Sequence, residues 1–219
     1  PFPTIKGQEY YYSNHLPLAV MWPKGIQSPG RSIDDFVNFI DFTPTFLEVT
    51  NTDGEASGMK PITGRSLTEF FNTDQSGVVN PGRDHHIMGK ERHDIGRPHD
   101  QGYPIRGILK DGFLYLRNFE PTRWPAGNPE TGYLNCDGSP TKTEILKCRT
   151  DPEKKHFWDW AFGKRPFEQM YHYESDPACI TNIANDPGHR ARKEVLRDEL
   201  FAELAEQGDP RMFGNGDVF

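Results

Sequence analysis

Apolar residues fall in short runs separated by spacers rich in proline and glycine. Leu18-Ala19-Val20-Met21-Trp22 is uniformly apolar and is closed by Pro23-Lys24-Gly25, which predicts a strand covered on both faces and then a turn. After Ser28-Pro29-Gly30, Asp34 and Asp35 stand where carboxylates favour a helix start. Phe36, Val37, Phe39, Ile40, Phe46 and Leu47 then form one helical face, which Pro44 is expected to kink or restart. Residues 50–83 read as loop, with a small helix at Ser66 to Phe71. Three strand-like runs follow, Asp84 to Lys90, Tyr103 to Lys110 and Phe113 to Asn118, and Asp111-Gly112 marks a two-residue hairpin between the last two. Residues 119–166 read as a long irregular excursion pinned by Phe157, Trp158, Trp160 and Phe162. Phe167 to Tyr173 predicts another strand. Ala191 to Gln207 predicts an amphipathic helix with Val195, Leu196, Leu200, Phe201 and Leu204 on one side.

Composition narrows the function classes. The 219 residues include 15 Phe, 8 Tyr and 4 Trp, enough aromatic mass for a core. With 21 Gly and 19 Pro the chain is loop-rich without reaching low complexity. A net charge of −7 argues against a sequence-independent nucleic-acid binder, which needs a basic face. No apolar stretch is long enough for a membrane-spanning helix. Cys136, Cys148 and Cys179 have no zinc-type spacing; the first two suit one disulfide in an exported chain and equally suit free thiols. Pro1 is not an initiator methionine, so a piece of a longer polypeptide is expected.

Candidate chemistry is sparse. Lys6, beside Gly7 and ahead of an apolar run, suits a fixed cation for an anionic substrate group. His93 lies just past a predicted strand end, near Arg97, His99 and Asp100, and suits substrate contact or protonation of a leaving group. His85 and His86 are adjacent on a strand and point to opposite faces, so they do not chelate one ion together. Asp34 and Asp35 are better explained as helix-start residues than as a catalytic pair, and Arg106 by a structural ion pair or carbonyl bonds than as a substrate clamp. No GxSxG, HExxH, Walker loop or dinucleotide fingerprint is present. The residues alone reach an α+β chain with an anion-friendly edge.

Several segments, in order, resemble the sulfatase family of the alkaline-phosphatase superfamily. Pro1-Phe2-Pro3 with Lys6-Gly7, Tyr10 and Leu16-Pro17-Leu18 looks like the stretch after the family's metal-binding Asp-Asn-Gly. Asp41-Phe42-Thr43-Pro44-Thr45-Phe46-Leu47 resembles its D-x-x-P-T-L-L helix, and Gly64-Arg65-Ser66-Leu67 its G-x-S-L turn. Tyr103-Pro104-Ile105-Arg106-Gly107-Ile108 with Phe113-Leu114-Tyr115-Leu116 resembles its R-A-V-R hairpin. Tyr171 to Ala184 resembles E-L-Y-D-L-x-x-D-P-x-E-x-x-N-L-A, without the glutamate of the D-P-x-E turn. The Pro-Phe-Pro opening and the Tyr-Pro-x-Arg strand look closest to the heparan N-sulfatase (N-sulfoglucosamine sulfohydrolase) branch.

The resemblance implies the C-terminal part of a sulfatase. Residues 1–83 would end a large α/β domain, and residues 84–219 would form a small domain of antiparallel sheet packed by a C-terminal helix. It implies hydrolysis of sulfate esters or sulfamates on a sulfated saccharide, heparan-like, by a periplasmic or secreted enzyme. A formylglycine made within C/S-x-P-x-R, and calcium, would belong to the missing N-terminal half; Ser28-Pro29-Gly30-Arg31 is one residue short of that motif. This chain alone is therefore expected to be inactive and to hold no metal. Lys6 matches the family's basic residue on a sulfate oxygen, His93 falls among pocket-rim histidines, and His15 takes a slot that suits structure first and pocket lining second. The rival expectations are a phosphatase or phosphodiesterase of the same superfamily, a non-catalytic homologue, and a glycan-binding or assembly module.

Overall fold

The strand runs and their turn organise the first of two compact units. The computed structural model describes residues 7–54, 56, 58–92, 97–132, 134–136 and 138–216. The units are Pro1–Leu16 with Ile87–Phe219, and Pro17–His86. Strands β1 (His85–Lys90), β2 (Ile105–Lys110), β3 (Phe113–Asn118) and β4 (Glu168–His172) form one sheet in the order β1-β2-β3-β4. β2 pairs antiparallel with β3, Lys110 opposite Phe113, and β3 pairs antiparallel with β4, Phe113 opposite His172. Asp111 and Gly112 both take positive φ, 51° and 81°, the backbone of a type I′ turn. The fold is α+β, as expected.

One face of the sheet carries Ile108, Tyr115 and Met170, all fully buried. Against it packs the last long helix, Arg190–Glu206. Its Leu196, Leu200 and Leu204 recur every four residues and share the core cluster with Ile108, Tyr115, Met170 and Ala184. Phe201 packs at the edge of this cluster, whereas Val195 is 57% exposed and lies outside the stripe. Asp176 and Asn182 anchor the connection into this helix. Asp176 Oδ2 accepts from the amides of Ile180 and Thr181 at 2.8 Å, and Asn182 Oδ1 accepts from Met170 N at 2.9 Å and Ala184 N at 3.0 Å. The turn therefore holds without the family's glutamate.

Residues 119–166 are less irregular than their composition suggests. They contain two eight-residue helices, Pro140–Lys147 and Lys155–Phe162. The first starts with Pro140 behind Ser139, whose Oγ accepts from Lys142 N at 3.1 Å. The second buries Trp158, Ala161 and Phe162 with Ala126. Helices this short do not need a long apolar stripe, so a proline- and charge-rich composition hides them.

The second unit is held by buried charge more than by a large apolar core. Arg83 is 3% exposed. It donates to Asp41 Oδ2 at 3.0 Å, Glu69 Oε1 at 2.6 Å and the carbonyls of Arg65 and Ser66 at 3.1 and 2.8 Å. Asp41 accepts Arg65 N at 2.8 Å, and Thr45 Oγ1 accepts Leu67 N at 2.8 Å. The segments that resemble the D-x-x-P-T-L-L helix and the G-x-S-L turn therefore hydrogen-bond to each other.

Three expectations in this unit are corrected. Leu18 to Trp22 is not a buried strand: Leu18 and Val20 are 50% exposed, Met21 88% and Trp22 39%, and no described strand pairs with it. Its apolar character has no neighbour here to supply a hydrogen-bonding edge. Asp34 and Asp35 do not start a helix; buried Asp35 accepts Val79 N at 2.7 Å and Asn80 N at 2.6 Å. The helix starts later, at Phe42–Val49 after a 3-10 turn at Phe39–Asp41, and Pro44 sits in its first turn, where the missing N–H breaks nothing.

Leu200→Ala is expected to destabilise the chain by about 2–5 kcal/mol, as for other buried leucines that leave a cavity. Val195→Ala on the same helix should cost under about 1 kcal/mol. Urea unfolding of both variants decides; equal losses would mean that the stripe is not the packed face.

Candidate functional site

The segment Gly7–Tyr10 has no regular secondary structure, yet it is tied to partners far away in the chain. Gly7 has φ +67°, a left-handed backbone suited to glycine. Its carbonyl accepts a hydrogen bond from Lys90 Nζ, at the end of β1. Gln8, 7% exposed, donates through Nε2 to Ala161 O at 3.3 Å. Tyr10, 4% exposed, accepts from Gln169 Nε2 at 2.9 Å through its hydroxyl and packs edge-on against Tyr171 at 5.7 Å.

Behind Tyr10 lies a buried polar network on the sheet face opposite the C-terminal helix. Gln169 Nε2 also contacts Tyr171 Oη at 2.6 Å, and Gln169 Oε1 accepts from Asn118 Nδ2 at 2.9 Å. Asn118 Nδ2 reaches Pro166 O at 2.7 Å, and Asn118 Oδ1 accepts from Tyr103 Oη at 3.1 Å. A satisfied buried network of this kind is rigid, because each broken bond leaves a desolvated group unpaired. Burial pushes the Tyr103 and Tyr171 hydroxyls far above their ordinary range, so both stay protonated, Tyr103 donating to Asn118 and Tyr171 accepting from Gln169.

Cations surround the segment, and carbonyls hold most of them. Arg97 donates to Trp124 O at 2.7 Å and Pro125 O at 2.9 Å, and lies over the Tyr103 ring at 5.8 Å. Arg165 donates to Asp159 O at 2.8 Å and Trp160 O at 2.5 Å, and lies over the Tyr10 ring at 5.6 Å. Burial pushes the Lys90 ammonium down to about 8; Glu9 opposes that shift, and Arg97 and Arg165 add to it. Burial likewise raises the Glu9 carboxyl, against the pull of Lys90 and Arg106. Carbonyls thus orient the Lys90 ammonium at Gly7 and the Arg165 guanidinium beside Tyr10.

No family model matches the chain. Among curated proteins, it is 25% identical over 196 residues to an ulvan-active sulfatase of Formosa agariphila, a match covering 89% of this chain and 34% of that protein. A second ulvan-active sulfatase of that organism is 24% identical over 217 residues, covering 95% and 32%. The human N-sulphoglucosamine sulphohydrolase is 25% identical over 219 residues, covering 96% and 40%. This chain is a sulfatase homologue. It spans about a third of the length of these curated relatives. A solved complex of a protein with its substrate D-glucosamine-2-N, 6-O-disulfate shares the fold, with TM-score 0.52 at 16% identity over 86% of this chain and 28% of that one.

Within this sulfatase homologue, Lys6 and His93 lie outside the described residues. Glu91, two residues before His93, is held by arginines. Glu91 accepts from Arg106 Nη2 at 2.6 Å and takes both carboxylate oxygens to Arg211 at 2.6 Å, while Arg106 also donates to Asp209 at 2.5 Å. Arg106 is thus the structural ion pair expected of it. His99 and Asp100, with φ of 56° and 55°, form a left-handed turn, a region that His and Asp enter more readily than most non-glycine residues. His15 is exposed; its ring lies 4.9 Å from that of Tyr11, and nothing described joins it to the Gly7–Tyr10 cluster.

Lys90, Asn118 and Gln169 were not evident as site residues in the sequence. The available signal was a polar side chain on the inward face of an apolar strand: Lys90 shares a face with buried Met88, two residues away. The described residues contain no group of three His, Cys, Asp or Glu that would hold a metal ion, and no helix long and apolar enough to cross a membrane. Cys136, Cys148 and Cys179 are free thiols; burial raises that of Cys179 to about 12, which makes it a poor nucleophile.

Lys90 gives a pH signature with a definite sign. Its folded value, about 8, lies below the ordinary 10.5. Between those limits the unfolded chain binds more protons than the folded one, so this group adds stability as pH rises. The stability of Lys90→Met minus wild type should therefore fall from pH 7 to pH 10. Tyrosine and cysteine terms cancel in that difference. Urea titrations at several pH values read it, and a flat difference would remove the buried ammonium.

Proposed function

We propose that this chain is the C-terminal part of a sulfatase acting on sulfated glycans, as a sulfate-ester or sulfamate hydrolase. The observation that carries the reading is the alignment of 89–96% of the chain with three sulfatases. Their names point to a sulfated polysaccharide and to N-sulfoglucosamine as substrate classes. In either reaction the bond from sulfur to oxygen or nitrogen breaks, water supplies the new oxygen, and the leaving group takes a proton.

Formylglycine and calcium, which the family implies, do not fit the residues present. The sequence has no C/S-x-P-x-R, and no described side chains form a metal cluster. Both would belong to the rest of the enzyme. What this chain offers is Lys6 as a cation for the sulfate oxygens, on which negative charge grows in the transition state. Lysine makes one point contact there where arginine would make two. His93 serves the leaving group as proton donor or contact. The Lys90 ammonium on the carbonyl of Gly7, the residue after Lys6, favours the same anion.

The enzyme carrying this chain should release sulfate from N-sulfoglucosamine or from ulvan oligosaccharides. Lys6→Met should lower kcat about 10²–10³-fold, the scale for losing one donor to a developing oxyanion. The 219-residue chain alone, with calcium and an aryl sulfate, should give no turnover above blank. Ion chromatography of released sulfate and phosphate reads all three. Phosphate release from a monoester without sulfate release would move the enzyme to the phosphatase class.

A further inference from the structure

We infer that Lys90 is a positioning residue for the sulfate-binding segment: its ammonium grips the Gly7 carbonyl and thereby fixes the backbone to which Lys6 is joined. The inference deepens the sulfatase reading and rests on it.

Three observations converge on this role. Lys90 spans 83 residues of sequence to reach a backbone carbonyl rather than a carboxylate. Gly7 is in a left-handed conformation, so its carbonyl direction is set by a turn that a bond to oxygen can lock. Gln8 and Tyr10 are each held by partners more than 150 residues away, Ala161 and Gln169. Ordering an irregular segment costs about 1–2 kcal/mol of backbone entropy per residue. Without side-chain ties from the sheet, Gly7–Tyr10 would sample many conformations, and a cation joined to it would not stay aligned with a sulfate group.

A partly buried lysine is also a demanding choice for a merely structural tie. Burial disfavours its charge, and an apolar side chain would fill the space at lower cost. Placing it against a carbonyl leaves a positive charge beside the segment, so one side chain supplies both restraint and potential. The facing charged groups are Glu9, Arg97 and Arg165. Lys110 makes a useful contrast. It ends β2 and pairs with Glu199 of the C-terminal helix at 2.5 Å, an ordinary partly buried ion pair.

The test places Lys90→Met, Lys90→Arg and Lys110→Met in the complete enzyme and measures steady-state kinetics for sulfate release, with thermal unfolding of each. Lys90→Met should lower kcat roughly 10–100-fold, since small misplacement of a catalytic cation costs up to about that factor, while KM changes less than about threefold. Lys90→Arg, which still donates to a carbonyl, should recover most of the loss. Lys110→Met should leave kcat within about twofold. An unchanged kcat in folded Lys90→Met overturns the inference, as does a loss that Lys90→Arg does not relieve. If Lys90→Met fails to fold, Lys90→Arg and Lys90→Gln carry the comparison on the same criteria. Should the wild type cleave phosphate esters and no sulfate, the sulfatase reading fails by itself, and the same variants assayed on phosphate still decide the role of Lys90.

Discussion

The central strands, Ile105–Lys110 and Phe113–Asn118, turn neither face to solvent. Ile108 and Tyr115 lie under the C-terminal helix, while Leu109, Leu114 and Leu116 are buried on the other side. A hairpin this apolar is unstable until both sides are covered, at a gain of about 1.5–3 kcal/mol for each large side chain removed from water. The helix Arg190–Glu206 covers one side with its leucine stripe. The other side takes Tyr10, tied through Gln169 and Asn118. The same demand that folds the sheet therefore draws in the segment next to Lys6.

Local sequence rules worked where the signal was local. Asp111-Gly112 carries its own φ requirement, and Leu196, Leu200 and Leu204 repeat at helical spacing, so hairpin and helix were legible without any tertiary knowledge. Leu18 to Trp22 fails for the opposite reason: an apolar run says that burial is favourable but not what provides it, and nothing described in its own unit pairs with it. The aspartate pair shows a third limit. Asp35 caps amides 44 and 45 residues away, at Val79 and Asn80, and helix-start preference cannot distinguish that from a cap on its own helix.

Site residues were legible only in part, because the motifs that carried the resemblance are mostly scaffold. Asp41 and Thr45 meet the amides of Arg65 and Leu67, Arg106 joins Glu91 and Asp209, and Asp176 and Asn182 secure the chain around β4. Each of these residues satisfies buried backbone or charge, and such groups tolerate little substitution. A motif can thus identify a fold through residues whose partners are internal. Lys90, Asn118 and Gln169 had no comparable motif, since their partners lie far away in sequence.

Electrostatics links that scaffold to chemistry. Lys90 donates to the Gly7 carbonyl, and Arg165, which lies over the Tyr10 ring, donates to those of Asp159 and Trp160. A carboxylate partner would have neutralised each charge; a carbonyl only directs it. Glu9 is the nearby counter-charge, and burial pushes it toward its neutral form. A sulfate group carries its charge into the reaction and spreads more of it over its oxygens as the bond to sulfur breaks. In the sulfatase proposed above, cations fixed by folding would need no reorganisation at that moment.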